Sequence, residues 1–356
     1  MADEFVTAAR VHFIHRFTGN GVTAGDFLDV TNSVEKWADW CDTWSKRADV
    51  HETLGREALA AGHLVSAGEH LNRAATYYHF AKFLFFEDMA KHRAVHQKAV
   101  ECRTLALPHL DPPGERVLIP YEGKRLAGVL RLPRDARRPP IVLITMGLDN
   151  SKEETDTFEM AFLRRGMAIL AFDGPGMGEA EYDFPIRPDF EEVVKQVVDW
   201  LETRKDVDTD RIGIYGQSLG GYYAPRAAAF EKRLKACIAN SGPWNFASNW
   251  DGLPKLTREA TRVRTHSASD DQARQRAAEL SLEGIAQKIK CPMFVVATGL
   301  DTLCLPEDME RLAAEASGPV ELLYIKDGVH VGHNRAYQYL PRAADWMATQ
   351  LNVQKK

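Results

Sequence analysis

Two rhythms of apolar and polar positions run along this chain, and one gives way to the other near residue 110. Between Ala67 and Phe86 (AGEHLNRAATYYHFAKFLFF), positions Leu71, Ala74, Ala75, Tyr78, Ala81, Lys82 and Phe85 recur every three or four residues. That spacing places them along one side of a helix. Trp37, Trp40 and Trp44 repeat it upstream, and His70 and His79 read as helix-face residues of the same segment. The stretch Pro108 to Gly114 (PHLDPPG) then breaks the pattern. Residues 1–108 are therefore expected to form an all-helical N-terminal cap domain.

Beyond the break, short apolar runs alternate with helical patterns. Glu115 to Ile119 and Lys124 to Leu132 read as an antiparallel pair turning at Glu122-Gly123. Ile141 to Thr145, Ala168 to Phe172, Ile212 to Tyr215, Ala236 to Ala239, Met293 to Ala297 and Val320 to Ile325 are continuous apolar runs. Such runs are what strands buried on both faces require. Helical patterns at Thr155 to Arg165, Phe190 to Arg204, Gly220 to Phe230, Glu307 to Ala316 and Ala336 to Leu351 separate them. This alternation predicts an α/β domain over residues 109–356, with a mostly parallel sheet covered by helices. The stretch 244–290 is long for a simple connection, and its charged, helix-forming composition predicts a helical excursion near the site.

Composition narrows the partners. With 356 residues, 45% hydrophobic and 27% charged, the chain can bury a sizeable core without a disulfide or metal staple. A net charge of -5 argues against nucleic acid as the main partner. The basic cluster Arg134 to Arg138 reads as a solvated loop. Five cysteines lie scattered with no C-x-x-C spacing, which predicts neither a disulfide framework nor a zinc site; Cys237 and Cys291 sit beside apolar runs and are expected to be buried. The N-terminus lacks a signal-peptide layout, and no uninterrupted apolar stretch is long enough to cross a bilayer. A cytoplasmic enzyme with no membrane partner, no cofactor and no metal is expected.

The chemistry centres on Gly216-Gln217-Ser218-Leu219-Gly220. A serine hydroxyl is a poor nucleophile alone and needs a base, a group to orient that base, and donors for the oxyanion. Ser218 directly follows an apolar run and precedes a helical pattern, the strand–turn–helix context in which G-x-S-x-G marks a nucleophile. The Leu219 N–H, at the start of that helix, is one expected oxyanion donor. The loop after the first parallel strand, Met146-Gly147-Leu148-Asp149-Asn150, is expected to supply the second, from Gly147 or Leu148. Asp301 follows the run Met293 to Ala297 and reads as the acid, with a turn or helix-capping role as its plain alternative. His330, two residues after Gly328 and last in chain order, reads as the base, and His333 as a supporting or substrate-facing residue. The glycine-rich run Asp173 to Gly178 lacks the Lys-Ser/Thr of a phosphate loop, and no H-E-x-x-H cluster suggests metal catalysis. Tyr77, Tyr78, Trp244, Asn249 and Trp250 are candidates to line a pocket for an aromatic substrate, though each also reads as ordinary core packing.

Four stretches together resemble one group of α/β-hydrolases: 146–154 (MGLDNSKEE), 173–179 (DGPGMGE), 216–224 (GQSLGGYYA) and 330–334 (HVGHN). The group is that of 2,6-dihydroxypseudooxynicotine hydrolase, a carbon–carbon bond hydrolase of nicotine breakdown, and the FrsA-like esterases; fungal polyketide-shortening hydrolases are related. The helical region with Tyr77-Tyr78-His79 is similar as well, so the resemblance spans most of the chain. It implies the α/β-hydrolase fold, a Ser218-Asp301-His330 triad, a helical domain closing over the serine, and a homodimer. The nicotine-pathway member carries a glutamate in the loop after the strand that follows the nucleophile helix. The matching region here, 241–251 (SGPWNFASNWD), has none; Asn249 or Asp251 stands near that place. This departure bears on the pseudooxynicotine substrate.

The expected function is hydrolysis of a carbon–carbon bond next to a carbonyl, in an aryl ketone or β-diketone. The same site acting on a small aromatic ester or amide is the alternative, and a non-catalytic binding protein of the same fold is a third reading.

Overall fold

The computed structural model describes residues 3–134 and 136–353. Residues 1–2, Asp135 of the basic loop and residues 354–356 lie outside the described residues. The chain divides into two compact units, residues 1–116 with 153–158, and residues 117–152 with 159–356.

The first unit is helical: α1 (Glu4–His12), α2 (Ile14–Gly19), α3 (Ala24–Ser33), α4 (Trp40–Ala60), α5 (Leu64–Lys82) and α6 (Met89–Ala106). Asp3, Thr23 and Asp88 cap α1, α3 and α6 by accepting a backbone N–H of the first turn, which satisfies donors that have no intrahelical partner. Aromatic rings fill the core. Phe17 stacks on Phe80 at 3.7 Å between centroids and meets Phe27, Trp44 and Phe83 edge-on. The tryptophans at three- and four-residue spacing do share a face: Trp37 stacks on Trp40 at 4.7 Å, and Trp40 donates its indole N–H to the Phe80 carbonyl.

Helix α5 departs from the one-sided stripe that its sequence suggests. Every residue from Ala74 to Lys82 is buried, including Thr76, Tyr77, His79 and Phe80. The helix also stops at Lys82, short of Phe86, and Leu84 takes a positive φ of 52°. Glu154 enters this unit from the later segment 153–158 and is fully buried. Its carboxylate accepts from Arg16 Nη2 at 2.7 Å and Asn20 Nδ2 at 2.8 Å, and His79 Nε2 lies 3.2 Å away. The Arg16 and His79 partners outweigh burial and hold the Glu154 carboxyl well below the usual carboxylate range.

The second unit is built on one eight-stranded sheet: β1 (Gly114–Tyr121), β2 (Lys124–Arg131), β3 (Pro140–Thr145), β4 (Ala168–Phe172), β5 (Asp208–Gln217), β6 (Leu234–Asn240), β7 (Met293–Thr298) and β8 (Val320–Ile325). Their order is β1-β2-β4-β3-β5-β6-β7-β8. Strand β2 runs antiparallel to β4, and β4, β3, β5, β6, β7 and β8 are mutually parallel neighbours. The helices of the α/β portion are α7 (Asp156–Leu163), α8 (Phe190–Leu201), α9 (Gly220–Phe230), α10 (Lys255–Arg264), α11 (Asp270–Glu279), α12 (Pro306–Glu315) and α13 (Ala336–Gln350). The apolar runs of β3, β4 and β7 are buried throughout. At the sheet edge, β8 leaves Leu322 and Tyr324 exposed.

The stretch 244–290 holds α10 and α11, and its ends are pinned together. Phe246 N–H donates to Leu280, Leu282 N–H donates to Trp244, and Asn245 bridges Ser281. Cys237 is buried in β6, whereas Cys291 is part-exposed. Among the described residues, no helix is long and apolar enough to cross a membrane.

Candidate active site

Parallel strands bring their carboxyl ends to one rim, and the candidate site residues stand on the turns leaving β5, β7 and β8. Ser218 follows the last residue of β5 and takes a left-handed φ of 55°. Such strain is sustained only where the surroundings over-determine it. Here the Ser218 N–H donates to the Asn240 carbonyl at 2.9 Å, and its own carbonyl accepts from Gly221 N–H at 2.7 Å. Gly216 is obligatory for the turn: a Cβ there would fall 1.9 Å from the Gly220 carbonyl oxygen.

His330 follows β8 and directs both ring nitrogens to partners. Its Nε2 lies 2.8 Å from Ser218 Oγ and its Nδ1 lies 2.7 Å from Asp301 Oδ2. The Asp301 side chain is fully buried. Its Oδ1 accepts from the Leu303 and Cys304 N–H groups at 2.9 and 3.1 Å, and its Oδ2 accepts from Thr298 Oγ1 at 3.3 Å. Burial pushes the neighbouring Cys304 thiol well up, so that sulfur stays protonated. The base and acid loops are stitched together: Leu300 N–H donates to the Gly328 carbonyl.

The loop after β3 crosses close to the serine. A Cβ on Gly147 would lie 2.8 Å from Ser218 Cβ and 3.0 Å from Ser218 Oγ. The Gly147 N–H is engaged, donating to Asn150 Oδ1 at 2.9 Å. Lys152 anchors the end of this loop. Its Nζ reaches Asp173 at 2.8 Å and Glu179 at 2.7 Å, and its backbone N–H donates to Asp173 Oδ1. The glycine-rich loop after β4 thus begins with a carboxylate that holds a lysine.

The sequence-derived pocket candidates are placed variously. His333 sits part-buried in the short 3₁₀ segment that starts at His330. Trp244 is nearly buried, donating its indole N–H to Glu283, with the Arg311 guanidinium 4.0 Å over its ring. Asn249 donates Nδ2 to the Thr302 carbonyl at 2.9 Å, tying its loop to that of Asp301. Trp250 is buried in a 3₁₀ turn. Tyr77 and Tyr78 belong to the helical unit and work inside it. The Tyr77 hydroxyl donates to Asp26, and that of Tyr78 contacts Asp49 and Glu52.

Sequence reasoning missed Asn150, Lys152, Asp173, Asn240 and Thr298. Position offers a faint signal for three of them, since Asp173, Asn240 and Thr298 stand where β4, β6 and β7 reach the rim. Asn150 and Lys152 lie in the 146–154 stretch that carries the family resemblance, but no side-chain role could be read for them, because the partners of Lys152 lie in a loop distant along the chain.

The Esterase FrsA-like family profile matches residues 19–352. The chain is 32% identical to the 2,6-dihydropseudooxynicotine hydrolase of Paenarthrobacter nicotinovorans, over 95% of this chain and 91% of that protein. It is 35% identical to hydrolyase poxO of Penicillium oxalicum, over 59% of this chain and 54% of the fungal protein, about half the latter's length. The crystal structure of a 2,6-dihydroxy-pseudo-oxynicotine hydrolase is similar with a TM-score of 0.86, at 32% identity and covering 95% of each chain. This chain belongs to the FrsA-like esterase family and is an α/β-hydrolase.

Proposed function

We propose that this enzyme cleaves a carbon–carbon bond beside a carbonyl, in an aryl ketone or β-diketone, through a covalent acyl-enzyme on Ser218. The observation that carries the reading is the continuous line Ser218 Oγ, His330 Nε2, His330 Nδ1, Asp301 Oδ2, with contacts of 2.8 and 2.7 Å. His330 takes the Ser218 proton as Oγ bonds to the substrate carbonyl carbon, and Asp301 orients the imidazole and faces the charge that develops on it. The tetrahedral oxyanion is held by the N–H of Leu219 and of a residue in the β3 loop. Leu219 stands at the start of α9, where an N–H has no carbonyl one turn earlier. Of the two β3-loop candidates, Leu148 is carried forward, because the Gly147 N–H already serves Asn150.

Collapse of the oxyanion expels the carbon leaving group as an enolate or phenol-stabilised carbanion, which takes the proton from His330. Water, deprotonated by His330, then attacks the acyl-enzyme. Ser218 leaves with the returned proton, and the second product is a carboxylic acid. The similarity to a 2,6-dihydropseudooxynicotine hydrolase supports a small aromatic substrate of this kind. We place the enzyme in the cytoplasm as a homodimer; light scattering on the purified protein tests the second point.

An esterase acting on a small aromatic ester is the second reading, favoured by the family description. Fluorophosphonate labelling tests the shared nucleophile: failure of the folded protein to label, or equal labelling of Ser218→Ala, removes it. Turnover of an aryl β-diketone against p-nitrophenyl acetate separates the two bond types. Fast ester cleavage with an inert diketone would eliminate carbon–carbon hydrolysis.

A further inference from the structure

We infer that Asn240 is a positioning residue for the nucleophile and the base of the proposed triad, acting through its backbone carbonyl on Ser218 and through its side-chain Nδ2 on the loop of His330. This rests on the serine-hydrolase reading above.

Asn240 ends β6, beside the nucleophile strand, and is completely buried. A buried primary amide carries two donors and an acceptor that must find partners. Three of its contacts lead toward triad members, and its amide also faces the Tyr215 and Tyr339 hydroxyls. The Asn240 carbonyl accepts the Ser218 N–H at 2.9 Å and so braces the strained nucleophile turn. The Nδ2 donates to the Val331 carbonyl at 3.1 Å. The Oδ1 lies 3.1 Å from Ser241 Oγ, which is 3.0 Å from Thr298 Oγ1, which in turn is 3.3 Å from Asp301 Oδ2.

The contact to Val331 bears directly on the base. Val331 follows His330 and holds φ 63°, ψ −1°, with Gly332 also left-handed at φ 69°. A β-branched residue at positive φ is an outlier that its surroundings must enforce. Asn240 Nδ2 grips the carbonyl of that residue, so it fixes the backbone kink from which the His330 ring is aimed. Gly332 N–H donates to Val329 at 2.6 Å across the same kink, which closes the turn but cannot tether it to β6.

The hydroxyl chain bears on the acid. Ser241 and Thr298 carry one proton each. When Thr298 donates to Asp301, Ser241 donates to either Thr298 or Asn240. Two protons cannot bridge three contacts, so one contact of this row holds no hydrogen, and the row sets Asn240 beside the hydroxyls that lead to Asp301 without an unbroken hydrogen-bonded link. Ser241 is itself left-handed, at φ 48°, and its N–H donates to the Val296 carbonyl of β7. This conformation lets its hydroxyl sit between β6 and β7.

The test uses the full-length enzyme and a fluorophosphonate probe, whose second-order labelling rate reports triad alignment independently of the natural substrate. Asn240→Leu, close in size, removes both amide contacts and leaves the backbone bond to Ser218. Its labelling rate should fall about 10- to 100-fold, the scale of loss that small misplacements of reacting groups cause. With p-nitrophenyl acetate the loss should appear in kcat, while KM stays within about threefold of the parent. Thr298→Val should slow labelling as well, and Thr298→Ser, which keeps the hydroxyl, should restore it.

A purely packing role would lower Tm without slowing the labelling of folded protein. If Asn240→Leu folds and labels within about twofold of the parent, the assignment is overturned. Should that variant fail to fold, Asn240→Ala decides: labelling within about twofold of the parent overturns the assignment, and a loss of about tenfold or more supports it. Failure of the parent itself to label at Ser218 would instead sink the serine-hydrolase reading, and the two failures are told apart by that arm.

Discussion

Gly147 donates its N–H to the side-chain oxygen of Asn150 at 2.9 Å, three residues further along the same loop. That bond orients the Gly147 peptide and sets the path of the chain past Ser218. A substituent has no room there, since a Cβ on Gly147 would meet Asn150 Oδ1 at 2.7 Å and Ser218 Cβ at 2.8 Å. Gly147→Ala should reduce acylation by about 100-fold or more, on the scale of losing an oxyanion donor, and Asn150→Ala by about 10- to 100-fold, on the scale of misplacing reacting groups. Pre-steady-state acylation by an activated ester measures both. Wild-type rates in Gly147→Ala would refute this role for the loop.

Asp301 has acceptors filled on both oxygens, by two backbone N–H groups and by His330 and Thr298. Asp301→Asn keeps the shape but presents an amide to His330 Nδ1. It should lower kcat about 10⁴-fold by favouring the wrong imidazole tautomer, with little change in KM. Steady-state kinetics on any turned-over ester would show it, and a loss below about tenfold would contradict the orienting role.

Glu154 contributes to the acid sensitivity of the helical unit, beside Asp26, Asp49 and Glu52, whose carboxyls are also held below their ordinary values. Its folded pKa is depressed below the ordinary 4.5 by Arg16 and His79 against the opposing pull of burial. The stabilisation is therefore fully present above pH about 4.5 and is lost as pH falls toward the depressed folded value. Glu154→Ala removes the buried carboxylate that Arg16 and His79 share, at a cost of about 3–5 kcal/mol. Chemical denaturation across pH 3 to 7 should show a shallower acid limb in Glu154→Gln than in the parent. Parallel limbs would contradict the linkage.

Phe17 touches Phe27, Trp40, Trp44, Phe80 and Phe83. Phe17→Ala removes a fully buried ring from this cluster and should destabilise the helical unit by about 3–5 kcal/mol. Tryptophan fluorescence during urea unfolding reports it through Trp40 and Trp44. An unchanged midpoint would mean that the aromatic cluster is not what holds the unit together.

The sequence by itself determined the strand and helix order of the α/β portion, because buried parallel strands must be continuous apolar runs and their crossovers must be helical. It also determined that Ser218, Asp301 and His330 stand at strand ends, since each follows such a run by one to five residues. What it left open depended on side-chain direction and on contacts between segments far apart. Helical periodicity placed Tyr77 and Tyr78 on α5 but could not say that Asp26, Asp49 and Glu52 would take their hydroxyls. Nor could it show that Asn150 captures the Gly147 N–H. The burial of α5 on all sides from Ala74 to Lys82, and the arrival of Glu154 among its residues from beyond β3, are tertiary facts. Local sequence sets the period of an element, but a polar side chain is committed only when folding brings it a partner, and that pairing is decided in three dimensions.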